Sequence, residues 1–244
     1  MVCEDLQKPM KLQSLCISIP AYNEEAALPA VLERGTRTAA VAAEFWEILV
    51  IDDGSRDRTP EILREFGARC PNLRVVRHER NLGFPATVRE ILTMSRLEWT
   101  FLIPGDGQIP PEELDRLLPY ADRYDLIYGW RRERADPLRR RLTAWVYNAL
   151  VSLYLGRRIY DVDTGLLFRS GRLRGLQLEA KSVFVQAEFL AEALRRGLRH
   201  VEVPIRHEPR IGGHPIGGRP GLILHTAWEL FRYSLRKRRI ENTG

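Results

Sequence analysis

Glu47-Ile48-Leu49-Val50-Ile51-Asp52-Asp53-Gly54-Ser55 is an apolar run that ends abruptly in acid and glycine. Trp99-Thr100-Phe101-Leu102-Ile103-Pro104-Gly105-Asp106-Gly107-Gln108 repeats the pattern further along the chain. Short apolar runs bounded by turn residues read as buried strands. A carboxylate at the end of a parallel strand stands in the crevice where open α/β sheets bind ligands, and glycine lets backbone approach a ligand closely. Asp-Gly is also ordinary turn chemistry, so one such loop decides little. Two of them, each after a strand, point to a shared pocket. Oxygen ligands without clustered His or Cys suit a hard cation, Mg²⁺ or Mn²⁺.

Outward from these loops the chain alternates. Leu15 to Ile19, Leu73 to Val76, Leu126 to Tyr128, Leu166 to Phe168 and Val201 to Val203 read as further strands. Asn23 reads as the cap of a helix reaching about Thr38, with Glu24 and Glu25 at its positive end. Thr59-Pro60-Glu61 opens a second helix. Phe84-Pro85 and Pro110-Pro111-Glu112-Glu113 open two more, and Glu188 lies in another. Strands alternating with helices predict one α/β domain with a mostly parallel, Rossmann-like sheet flanked by helices. The expected division is a loose N-terminus over 1–13, the domain over 14–210, and a lid-like loop with a basic amphipathic helix over 211–244.

Past Gly129 the character changes. Residues 131–141 read RRERADPLRRR, with six arginines. Behind them Leu138, Leu142, Trp145, Val146, Ala149, Leu150 and Leu153 recur at helical spacing, and Tyr147 to Leu155 is apolar on the opposite face too. Such a helix is either buried or lies in an interface. Near the C-terminus, Leu224, Ala227, Trp228, Phe231 and Leu235 share a helical face, with His225, Arg232, Arg236 and Arg239 on the other. That basic amphipathic helix suits an anionic membrane surface or packs on the domain. The Gly- and Pro-rich stretch from Pro209 to Pro220, holding Arg210, His214 and Arg219, has the length and composition of a lid.

A chain of 244 residues can bury a full core, and its net charge of +6 suggests an anionic partner. Cys3, Cys16 and Cys70 are scattered and read as structural. No charged-apolar-cleavage pattern opens the chain, and no apolar run reaches the length of about 18 to 20 residues that spans a bilayer. The expected location is cytoplasmic, peripheral to the inner face of the membrane.

Together these motifs resemble the inverting A-fold glycosyltransferases of family 2, the group that includes dolichyl-phosphate mannose synthase and bacterial polyprenyl-phosphate sugar transferases. The resemblance rests on Ile19-Pro20-Ala21-Tyr22-Asn23-Glu24, on Val50 to Ser55, and on Asp106-Gly107-Gln108 followed by Pro110-Pro111-Glu112. It implies a nucleotide-diphosphate sugar (UDP- or GDP-linked) as donor, held by Pro20, Ala21, Tyr22, Glu24, Asp52 and Asp53. It implies Mg²⁺ or Mn²⁺ on Asp106 with help from Gln108, and a polyprenyl phosphate acceptor met by Arg131 and Arg140. An anionic phosphate acceptor is already a nucleophile and needs no side-chain base. A membrane protein stays open as a further partner.

The chain also departs from the family pattern. Pro104 stands where the metal motif usually has its first Asp, Phe84-Pro85 follow Asn81-Leu82-Gly83 in place of Lys and small residues, the aromatic and basic residues usual after Gly165 are missing, and Gly213-His214-Pro215 replaces a common Gly-x-Ser-Lys lid. Two other readings stay open: transfer to a sugar hydroxyl with Asp161, Asp163 or Glu188 as base, and a non-catalytic nucleotide- or lipid-binding module. Nucleic acid is not an expected partner, because the candidate pocket is acidic.

Overall fold

The computed structural model describes residues 11–132, 138–212 and 228–233, without the side chains of residues 139 and 140. A seven-stranded sheet runs through the middle in the order β3-β2-β1-β4-β6-β5-β7. Its strands are β1 (Leu12–Ala21), β2 (Ala43–Asp52), β3 (Leu73–Arg77), β4 (Trp99–Leu102), β5 (Leu126–Arg131), β6 (Leu166–Arg169) and β7 (His200–Ile205). β1 pairs in parallel with β2 and β4, β2 with β3, and β5 with β7. β6 alone runs antiparallel, to both β4 and β5, and so stitches the two parallel groups together.

Helices cover both faces. On one side Leu15, Ile17 and Ile19 of β1 pack with Ile48 and Val50 of β2 against α1 (Leu28–Ala42) and α2 (Thr59–Arg69), with α4 (Leu114–Leu117) further along. On the other, Cys16, Leu49, Ile51, Leu102 and Tyr128 pack against α3 (Phe84–Met94), α5 (Leu138–Leu155) and α6 (Val185–Arg195). Successive strand residues point to opposite faces, so a strand covered on both sides is apolar without alternation. Each such Leu or Ile contributes roughly 1.5–3 kcal/mol through burial. Cys16 and Cys70 are both buried and free.

Three expectations need correction or refinement. The first helix begins at Leu28, not Asn23. Asn23 instead takes a left-handed φ of 55°, its amide donating to Ser55 Oγ and its own Oδ1 accepting from Arg56 N. Glu24 and Glu25 amides donate to Thr59 Oγ1 and Asp57 Oδ2, so a tertiary contact with the loop after β2 takes the amides a cap would have served. Second, α5 is neither wholly buried nor wholly exposed. Asn148 and Val151 face the core, while Leu138, Leu142, Trp145 and Leu153 stay largely open, Leu153 at 81% exposure. Third, Trp228 to Tyr233 are helical, with Tyr233 buried against Tyr154 and Phe184. His214, Arg219, His225, Arg236 and Arg239 lie outside the described residues. Among the described residues no helix is long and apolar enough to cross a membrane.

Candidate active site

The pairing register decides where the acids meet. Ala21 lies beside Asp52, and Gly105 N donates to Pro20 O at 3.2 Å, so the two acidic loops flank the end of β1. A cleft of about 120 Å³ opens there between Pro20, Pro104, Asp106 and Gln108 on one wall and Arg131, Asp163, Thr164 and Gln186 on the other. Of the predicted residues, Pro20, Asp106, Gln108 and Arg131 therefore share a single cleft.

The others stand around it. Asp52 is fully buried; its Oδ1 accepts from Ser55 N and its Oδ2 lies 3.1 Å from Arg77 Nε. Asp53 binds inward as well. Its Oδ1 accepts from Leu82 N and meets His78 Nδ1, both at 2.7 Å, and its Oδ2 accepts from Gly83 N at 2.8 Å. Asp53 thus fixes the turn that leads into α3, whose Phe84 lines the cleft. His78 also meets Glu90 at 2.9 Å. Burial pulls the His78 pKa down, but its bonds to Glu90 and Asp53 outweigh that and raise it above the ordinary value. Gly54 is required between the loops. Its φ is 72°, and a Cβ there would sit 2.5 Å from the Arg80 carbonyl carbon. Ala21 is buried and its carbonyl accepts from Asp53 N, while Tyr22 is half-buried.

Arg131 does not stand free in the cleft. Its Nε and Nη2 bind Asp161 in a two-pronged pair at 2.6 and 2.8 Å, and Nη2 also donates to Asp163 O. Arg140 falls in the first turn of α5, but its side chain lies outside the described residues. Among the three acids considered as bases, only Asp163 lines the cleft. Asp161 is taken by Arg131, and Glu188 accepts from the amides of Glu179 and Ala180.

The site holds one group to which the sequence assigns no partner. The segment after β7 lies along the second acidic loop, Glu208 N donating to Gln108 O and Ile211 N to Asp106 O. It delivers Arg210 between Glu24 and Asp106, bonded to Glu24 Oε1 and, at 2.8 Å, to Asp106 Oδ2. Burial raises the Glu24 pKa to about 7; Arg210 opposes the rise and nearby Asp106 adds to it. His207, from the same segment, lines the cleft.

A hard divalent cation fits this donor set. Asp106 offers one carboxylate and Gln108 an amide oxygen, and Mg²⁺ typically takes one or two carboxylates with substrate phosphates and waters. Pro104 adds no ligand, and among the described residues no group of three or more His, Cys, Asp or Glu could hold a metal by itself. Oxygens from outside the protein, of water or phosphate, would complete the shell.

Residues 16–180 match the family model described as glycosyl transferase family 2. The chain belongs to that family. The family 2 domain is 32% identical over 207 residues to an undecaprenyl-phosphate 4-deoxy-4-formamido-L-arabinose transferase from Edwardsiella ictaluri, covering 83% of this chain and 62% of that one. The Pseudomonas aeruginosa protein of the same name is 32% identical over 210 residues, covering 84% and 61%. The chain thus spans less than two thirds of the length of these relatives. Among solved structures, glucosyl-3-phosphoglycerate synthase from Mycobacterium tuberculosis in complex with phosphoglyceric acid superposes with a TM-score of 0.72 at 19% identity, over 90% of this chain and 79% of that one. A mannosyltransferase from Pyrobaculum calidifontis in complex with GDP-Man and Mn²⁺ gives 0.61 at 15% identity, over 92% and 66%. At these identities the likeness concerns the fold, a mixed α/β domain of the A type.

Proposed function

We propose that this family 2 domain transfers a sugar, with inversion, from a UDP- or GDP-linked donor to a polyprenyl phosphate at an anionic membrane surface. The observation that carries the reading is the meeting of Asp106, Gln108 and Arg131 in one cleft, beside a helix whose outer face is apolar and whose first turn is arginine-rich. The names of the relatives point to the same acceptor class.

Asp106 and Gln108 would hold Mg²⁺ or Mn²⁺, which supplies Lewis-acid stabilisation of charge on the departing nucleoside diphosphate. Pro20, Ala21, Tyr22, Glu24, Asp52 and Asp53 would shape the donor site. Glu24 and Asp106 border the diphosphate end of that site. Asp53 acts through the loop it braces, because its oxygens already serve Leu82, Gly83 and His78, while Asp52 braces Ser55 through Oδ1 alone. Arg131, oriented by Asp161, and Arg140 would face the acceptor phosphate, since guanidinium pairs well with phosphate oxygens. The open stripe of Leu138, Leu142, Trp145 and Leu153, with exposed Arg141, Arg157 and Arg158 nearby in the chain, has the make-up of a face resting on anionic lipid.

The test is transfer of labelled sugar into the organic phase from a panel of UDP- and GDP-sugars, with polyprenyl phosphate and Mg²⁺ or Mn²⁺. A cation-dependent lipid product from one donor is the expected result. No lipid product from any donor, despite binding of UDP or GDP, would overturn it. A hydroxyl acceptor is favoured by one observation, the place of Asp163 in the cleft. On that reading Asp163→Asn abolishes turnover; on the lipid-phosphate reading turnover survives.

A further inference from the structure

We propose that Arg210 is an internal counter-cation that keeps a divalent ion off Asp106 until the donor's diphosphate draws the guanidinium away. The inference rests on the donor and metal assignments above and adds an order of events to them.

Arg210 is held at every donor-bearing nitrogen. Nη1 bonds Asp106 Oδ2, Nη2 bonds Glu24 Oε1, and Nε bonds Gly212 O at 3.0 Å. The three charged side chains are only 19%, 11% and 12% exposed for Arg210, Glu24 and Asp106. Charge-assisted bonds in such a setting are stronger than those on an open surface.

The segment carrying Arg210 is itself anchored. Arg206 bonds Glu113, Arg34 bridges Glu112 and Glu208, and Ile211 packs over Gly107, where a Cβ would come within 3.1 Å of its Cδ1. The guanidinium is therefore presented to Asp106 by a fixed scaffold and does not merely drape across it.

A divalent ion approaching Asp106 has to take Oδ2 from Arg210 and then tolerate a cation alongside. In return it finds one carboxylate and one amide oxygen, because position 104 is Pro. That exchange is unfavourable for the free protein. A nucleoside diphosphate changes both sides of it. Its oxygens complete the shell of the ion, and they give Arg210 a new anionic partner that suits its planar fork. Ion and nucleotide then strengthen each other's binding by the same factor, as linkage requires.

The test is Mn²⁺ titration of the whole chain by calorimetry, alone and saturated with UDP or with GDP, after correction for Mn²⁺ held by free nucleotide. In the unaltered protein the effective nucleotide is expected to tighten Mn²⁺ binding about tenfold or more. Arg210→Gln is expected to bind Mn²⁺ several-fold tighter without nucleotide, and to lose most of the enhancement. Arg210→Lys keeps the charge without the fork and is expected to fall between them, which guards against a poorly folded Gln variant. Equal or weaker Mn²⁺ binding by folded Arg210→Gln without nucleotide would overturn the proposal alone. Absence of Mn²⁺ binding in every protein, with either nucleotide, would overturn the metal assignment and the proposal with it.

Discussion

The two walls of the cleft are built on different principles. On the β1–β2–β4 side the three aspartates serve the backbone: Asp52 holds Ser55, Asp53 holds Leu82 and Gly83, and Asp106 holds the Gln108 amide. On the β5–α5 side Arg131, which lines the cleft, is held by the side chain of Asp161 behind it, and the helix beyond leaves its apolar face open. The first wall is rigid by internal bonding. The second ends in a helix face that is apolar and exposed. A donor site needs preorganised loops, whereas a site for a lipid-linked acceptor needs a surface the lipid can reach.

Four changes would break or sharpen this contrast. The largest effect is expected at Asp106, where Ala should lower cation-dependent turnover about 100-fold or more while leaving the fold intact. Circular dichroism beside the transfer assay checks both halves of that statement; unchanged turnover would remove Asp106 from the chemistry. Next comes Gly54→Ala, which forces a side chain into a left-handed φ and against the Arg80 backbone. A loss of about 3 kcal/mol in urea unfolding is expected, with weaker binding of donor nucleotide. Retained stability would mean that the loops are softer than their bonding implies.

His200 gives a smaller, pH-dependent effect away from the cleft. It lies edge-on to Tyr128, at 6.0 Å between ring centroids, and burial lowers its pKa to about 4, with Arg157 adding to the fall. The folded pKa is below the unfolded one, so His200 contributes stability above pH ~6.5 that is lost as pH falls toward 4. The loss from this residue is on the order of 2 kcal/mol at pH 5. Unfolding measured at pH 7.5 and pH 5 should show a smaller pH-dependent loss in His200→Leu than in the parent. An unchanged loss would mean that His200 titrates normally in the fold.

The smallest effect on the fold and the most specific effect on the second wall are expected from Leu142→Asp with Leu153→Asp. Both positions are exposed, so the loss of stability should stay near the helix-propensity cost, about 1 kcal/mol for the two together. Binding to phosphatidylglycerol vesicles should fall at least about tenfold in a sedimentation assay, with nucleotide binding unchanged. Vesicle binding that ignored these changes would take the membrane off this face.

The first wall was readable in the sequence because its signals are local. Val50 to Ser55 and Ile103 to Gln108 carry strand, turn and acid within a few residues, and strands covered on both faces are apolar throughout. The start of α1 is not legible in the sequence for the opposite reason. Asn23 looks like a cap in isolation, yet Ser55 and Arg56, far along the chain, engage it first. The stripe on α5 was visible as a stripe, but spacing cannot tell a face that meets the core from one that meets something else.

The sequence by itself determined the alternation of strands and helices, the two acidic loops, the family and the arginine-rich start of α5, all properties of neighbouring residues. Only the tertiary structure decided that Asp53 braces a turn, that Arg131 is paired with Asp161, and that Arg210 lies between Glu24 and Asp106, partners 186 and 104 residues away. Those pairings come from strand register and from the path of the segment after β7. No local pattern records them, because the charges that meet in the cleft are brought there by the packing of the sheet.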